Sequence, residues 1–309
     1  MASKKQITRM RIDVMGSTEA LMREVFAHSY SQSLRRYRSP FAFRGMCGDW
    51  DLSTSLQRLQ HPLNTLKRIE EVMLRNFRKY AYHEAASIKS EWEWLSLAQH
   101  HGLPTRLLDW TYSPFVAMHF ATNELDKMDK DGVIWMVNFV AARQFLPRAL
   151  AQPLHDRAAY SFNVEMLQEN FPRISSVEEQ KGNLAAFVVF FEPPSLDPRI
   201  INQFGLFSFL NRPDILLSEW LEEACTRSPG LARKLVIPAR LKWELRDKLD
   251  QMNMTERVLM PGLDGLSAWL KRWYSPKSLH PVAATEPPKR ATRKGKPPSS
   301  RLKRSNRDR

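Results

Sequence analysis

Residues 99–110, "QHHGLPTRLLDW", set two histidines, an amide, a guanidinium and a carboxylate among leucines and a tryptophan. Upstream, "FAFRG" places Arg44 between Phe43 and Gly45. On a strand the Arg44 side chain points away from Phe41 and Phe43, and Gly45 admits another group close to the backbone. An arginine at a strand end suits a bidentate grip on phosphate or carboxylate. The alternative is a surface arginine paired with Asp49 or Asp51. The later stretch also has two readings. Arg106 can pair with Asp109 in a tight turn, with Gln99 and Thr111 holding loop backbone and Trp110 as a cover, forming a buried joint between two helices. The same groups can instead make the polar rim of a pocket opening toward Arg44.

Other chemistry is excluded by pattern. There is no phosphate loop, no dinucleotide glycine turn, no Gly-x-Ser-x-Gly elbow and no paired-cysteine zinc spacing. His100 and His101 are adjacent, so on a helix they point about 100° apart and do not share an ion; His119 stands apart from both, and no metal is expected. Cys47 and Cys225 are too few for a disulfide framework, which fits a reducing cytosol.

The elements that must position these groups follow from periodicity. "STEALMREVFAHSY" (17–30) predicts a capped helix, "PFAFRG" a short strand ending at Gly45, and "LNTLKRIEEVMLRNFRKY" (63–80) an amphipathic helix. "EWEWLSLAQHHG" predicts a helix ended by Gly102, and Ser113-Pro114 starts another, with Phe115, Met118, Thr122 and Leu125 along one side. After Gly132 the texture turns to strands: "VIWMVNF", "AAFVVFF", "GLFSFL" and "KLVIPA". Helices at 241–252 and 263–273 close the fold. Helices first and strands later predict an α+β class, a helical N-terminal half packed on a mainly antiparallel sheet.

The net charge of +14 is concentrated at the C-terminus. Residues 275–309 hold eleven Lys/Arg against Glu286 and Asp308, which is +9 of the total, with no apolar periodicity. This predicts a disordered basic tail drawn to polyanions such as nucleic acid or the ribosome, or one that only solubilises the chain. No run of 18 apolar residues occurs and the N-terminus lacks a signal-peptide core, so no membrane association and a cytoplasmic location are expected. No obligate protein partner is expected. The expected organisation is an N-terminal helical extension (1–34), one folded domain (35–274) and the tail (275–309).

Together, "FRG" at 43–45, "LSTSLQR" at 52–58, "EWLSLAQHHGLPTRLLDWTYSPFVAMHFA" at 93–121, "RIINQFGLF" at 199–207 and "VLMPGLDGLSAWL" at 258–270 resemble the FRG-domain family over residues 35–272. An Arg-Gly at an early strand end followed by Ser-Thr-Ser is in turn similar to the arginine-class ADP-ribosyltransferases. That resemblance implies an NAD-using transferase or NAD hydrolase in a toxin or phage-defence setting. Arg44 would grip NAD, and Ser53, Thr54 and Ser55 would line the nicotinamide pocket. Gln99, His100, Thr105, Arg106 and Asp109 would build its wall, and Gln203 or Glu192 would serve as the catalytic group. Gln203 stands where those enzymes carry a glutamate, and Ser53 follows Gly45 by only eight residues. The competing expectation is a non-enzymatic module that binds nucleic acid or a partner.

Overall fold

The apolar runs Val133–Val137 and Val188–Phe191 have no polar alternation, as expected of strands covered on both faces. The computed structural model describes residues 10–85, 87–195 and 197–277. The strands are β1 (Arg11–Val14), β2 (Tyr30–Ser31), β3 (Arg36–Tyr37), β4 (Phe41–Met46), β5 (Leu107–Thr111), β6 (Gly132–Asn138), β7 (Phe162–Asn163), β8 (Val188–Glu192), β9 (Gly205–Leu210) and β10 (Ala232–Ile237). β2 and β3 form a separate hairpin; the other strands make one sheet in the order β1-β10-β6-β4-β5-β9-β8-β7. Its pairs are antiparallel except β1 with β10 and β7 with β8. The fold is therefore α+β with a mainly antiparallel sheet, as the sequence pattern predicts.

Both faces are packed. On one, Ala42, Leu108, Trp110, Val137 and Phe190 meet Trp220, Leu221 and Ala224 of the helix Leu217–Arg227. On the other, Phe43, Ile134 and Met136 pack with residues of α1 (Thr18–Phe26) and of the helix Ala239–Gln251. Beside them Phe191, Phe207 and Phe209 pack with Trp92 and Leu95. α2 (Leu66–Tyr80) and α3 (Glu91–His100) follow the predicted spans, α3 opening with a Ser90–Glu93 capping box and stopping before Gly102 at φ +80°. α4 (Pro114–Phe120) starts at the Ser113 cap but ends before Leu125, and the Thr122 hydroxyl beyond its end donates to the Met118 carbonyl.

Two stretches differ from the sequence expectation. Residues 107–111 are a strand at the middle of the sheet, not a joint between helices: Leu107 enters one core cluster while Leu108 and Trp110 enter the opposite one. Residues 11–14, read as part of a helical extension, supply the edge strand β1, tied down by the Asp13–Arg233 pair at 2.9 Å. The described residues up to Ser275 form one compact unit. Most of the basic tail, from 278 onward, lies outside the described residues. Among the described residues, no helix is long and apolar enough to cross a membrane.

Candidate functional site

Gly45 explains itself by packing. A Cβ there would stand 1.7 Å from the Ala117 carbonyl oxygen of α4. Only a glycine lets this helix lie backbone-on-backbone against β4, and that contact closes one side of a cavity of about 210 Å³. Its walls include Arg44, Asp109, Thr111, Val116, Arg199 and Gln203.

Arg44 occupies this cavity with its side chain 20% exposed. Its Nη1 donates to the main-chain oxygen of Asp109 at 2.6 Å, and the Asp109 carboxylate is 3.7 Å away. Its Nε is buried and has no partner among the described residues. Burial pulls the guanidinium below the usual arginine pKa while Asp109 opposes that shift; an arginine stays charged all the same. Neither Asp49 nor Asp51 is its partner; Asp49 pairs with Lys234.

Asp109 is itself oriented. Gln99 Nε2 donates to its carboxylate at 3.0 Å, Thr105 Oγ1 donates to Gln99 Oε1 at 2.6 Å, and the Leu107 amide donates to Thr105 Oγ1 at 3.1 Å. This chain fixes the Gln99 amide so that its donor side meets the carboxylate. Gln99, Thr105, Asp109 and Arg44, separate in the sequence, thus form one connected polar group.

Gln203 also lines the cavity, with its amide donating to the Leu259 carbonyl at 2.9 Å and its main-chain oxygen accepting from the Thr111 hydroxyl at 2.7 Å. Arg199, four residues earlier, is the cavity residue that sequence reasoning passed over, although it opens the quoted stretch 199–207. His100 sits outside the lining. Its Nε2 meets the Asp197 carboxylate at 2.7 Å, and Asp197 caps the helix Pro198–Asn202 that carries Arg199.

Several expected members are elsewhere. Arg106 does not pair with Asp109. It is 2% exposed, its guanidinium bonds the carboxylates of Glu70 and Glu178, its amide donates to Glu70 at 2.7 Å, and it lies 5.2 Å from the Phe209 ring centre. It joins α2 to the start of β5 and is not among the cavity lining. Ser53, Thr54 and Ser55 are not a strand and do not line the cavity: Ser55 exchanges hydrogen bonds with Thr105 at 3.1 and 3.2 Å, and Thr54 caps the turn at Gln57. Glu192, an exposed residue at the end of β8, accepts from the Tyr112 hydroxyl at 2.9 Å in a separate hollow with Ser161. The half-buried Tyr112 phenol is pushed well above its ordinary pKa, mainly by desolvation, and stays neutral. His119 is fully buried against Arg246, 2.8 Å away, and among the described residues no three His, Cys, Asp or Glu cluster as metal ligands.

Compared with known proteins, residues 39–130 match the FRG domain. The chain thus carries an FRG-domain segment. The matched segment supplies Arg44, Gln99, Thr105 and Asp109, while Arg199 and Gln203 reach the cavity from outside it. No curated protein and no solved structure matches the chain.

Proposed function

We propose that the cavity beside Arg44 binds a phosphate-bearing nucleotide and that the FRG domain is an NAD-using enzyme of the ADP-ribosyltransferase type, cleaving the nicotinamide–ribose bond. One observation carries the reading: Arg44 lines the cavity with a buried Nε that has no partner among the described residues, while the Asp109 carboxylate is held 3.7 Å from its Nη1. A buried N–H left without a partner favours an incoming acceptor, and a phosphate offers a bidentate one. Arg199 adds a second cation.

Breaking a bond between ribose and a cationic base builds oxocarbenium charge, which a fixed carboxylate stabilises. Asp109 is the carboxylate on the cavity wall, and it replaces Glu192 in that role. Gln203 is neutral and suits a hydrogen bond to a ribose hydroxyl. At about 210 Å³ the cavity is smaller than the usual 300–1,000 Å³ range for small-molecule sites, so it holds part of a dinucleotide, not all of it. A toxin or phage-defence role and a nucleic-acid or protein acceptor belong to this proposal.

The test is incubation of the full chain with labelled NAD, alone and with RNA, DNA and protein mixtures. Released nicotinamide and label on macromolecules are followed, with Arg44→Ala and Asp109→Asn as controls. Turnover lost in both folded variants supports the reading. No NAD binding and no turnover in any mixture overturns it.

A further inference from the structure

We propose that the hairpin of β2 and β3 is a docking site for single-stranded nucleic acid, read through two exposed tyrosines and three arginines. Tyr30 lies opposite Tyr37 across the hairpin, the rings edge-to-face with centres 5.3 Å apart. They are 46% and 64% exposed, and Leu34 at the turn is 60% exposed. A cross-strand aromatic pair ordinarily covers itself against a core; here both rings stand in water.

Charge points the same way. Between Glu24 and Asp49 the chain has no acidic residue, while Arg35, Arg36 and Arg38 are all exposed. Among the described residues none of the three meets a carboxylate; Arg38 donates only to the Tyr37 carbonyl, at 3.1 Å. The hairpin is nonetheless anchored. The Arg38 amide bonds the carbonyl of buried Ser29 at 2.5 Å, and Arg35 holds the turn in the left-handed region at φ 51°, an uncommon conformation for a side chain of its size.

Cations without counter-charges, set beside aromatic faces, match a polyanion that carries stackable bases. A duplex keeps its base faces stacked inside and would meet only the arginines. An acidic protein would engage the charges and leave the tyrosine faces unused; an anionic bilayer, whose interface also accommodates tyrosine, is separated by the vesicle arm of the test. The inference rests on the hairpin alone and is independent of the NAD reading.

The test uses the full chain and labelled oligo(U), oligo(dT) and duplex probes of about 12 nucleotides, within the usual footprint of such sites. Tyr30→Ala with Tyr37→Ala should weaken single-strand binding about tenfold or more and leave duplex binding unchanged, whereas Tyr30→Phe with Tyr37→Phe should retain it. Replacing the three arginines by serine should reduce the salt slope for single strands by about 2. Ultraviolet crosslinks should map to residues 29–38, an observation that does not depend on any variant folding. Tighter oligo(U) binding would assign the site to RNA, and equal binding to either strand chemistry; both support it. Full single-strand affinity in the alanine pair, crosslinks confined to other segments, or anionic vesicles equally sensitive to the tyrosine pair would overturn it.

Discussion

Arg44 and Asp109 meet across neighbouring strands: the Arg44 Nη1 donates to the main-chain oxygen of Asp109 at 2.6 Å, and the Asp109 carboxylate stands 3.7 Å from the same nitrogen. The guanidinium is thus steered by the backbone of β5, and its charge is not consumed by a close ion pair. A cation fixed in this way is prepared for an anion. Gln99 donates to that same carboxylate oxygen, Oδ2, at 3.0 Å, which orients the group before any ligand arrives.

Arg44→Ala should weaken nucleotide binding by about 1.5–3 kcal/mol, the worth of a hydrogen bond to a charged group, with little change in melting temperature. Arg44→Lys should restore little of it, because an ammonium lacks the planar fork. Calorimetric titration with NAD beside a thermal melt separates the two effects. A collapse of the fold in Arg44→Ala would make the residue a strut of the sheet instead.

Asp109→Asn preserves size and can still accept from Gln99. Turnover of NAD should fall about 100-fold or more while the Michaelis constant changes little, the pattern of a group that stabilises developing charge. Equal turnover in the variant would remove Asp109 from the chemistry.

Gly45→Ala should destabilise the protein by about 3 kcal/mol or more, since its Cβ would meet the Ala117 carbonyl oxygen at 1.7 Å and backbone atoms have no rotamer by which to yield. Urea unfolding reads this directly. A midpoint equal to the parent's would show that α4 shifts freely and that the cavity wall is soft.

Arg106→Met should cost about 3–5 kcal/mol, because it leaves the Glu70 carboxylate buried without its cation and Glu178 with Lys67 alone. Adding Glu70→Gln and Glu178→Gln should recover much of that loss, since a glutamine replacing Glu70 can still accept from the main-chain amide of residue 106. Thermal melts of the single and triple variants decide the matter; a triple variant no better than the single would place the cost in packing against Phe209 instead.

Stability should also fall as pH drops from neutral toward 4. Burial chiefly, and the Arg246 charge secondly, lower the pKa of His119 from 6.5 to about 3. With the folded value below the unfolded one, the unfolded chain binds the proton first. The contribution is complete above 6.5 and is lost as pH falls through the folded value. His119→Gln, which can still accept from Arg246, should flatten the difference between urea midpoints at pH 7 and pH 5. An unchanged difference would assign the acid sensitivity to other groups.

What the chain declares locally is the part that could be read without coordinates. Gly102, and Ser113 with Pro114, punctuate α3 and α4 because capping depends on residues a few positions apart. The apolar runs of β6, β8, β9 and β10 declare buried strands, and the motif stretches at 43–45, 52–58 and 93–121 fall inside the segment that matches the FRG domain. Tertiary structure decided the partners. Arg106 looks paired with Asp109 three residues away, yet it is claimed by Glu70 and Glu178, 36 and 72 residues distant, because helix packing brings those carboxylates to the start of β5. Pairing with β4 and β9 makes 107–111 a strand although helices flank it on both sides. Arg199 and Gln203 reach Arg44, and Glu192 does not, because sheet order and helix packing set those distances, and neither is encoded in the spacing of residues along the chain.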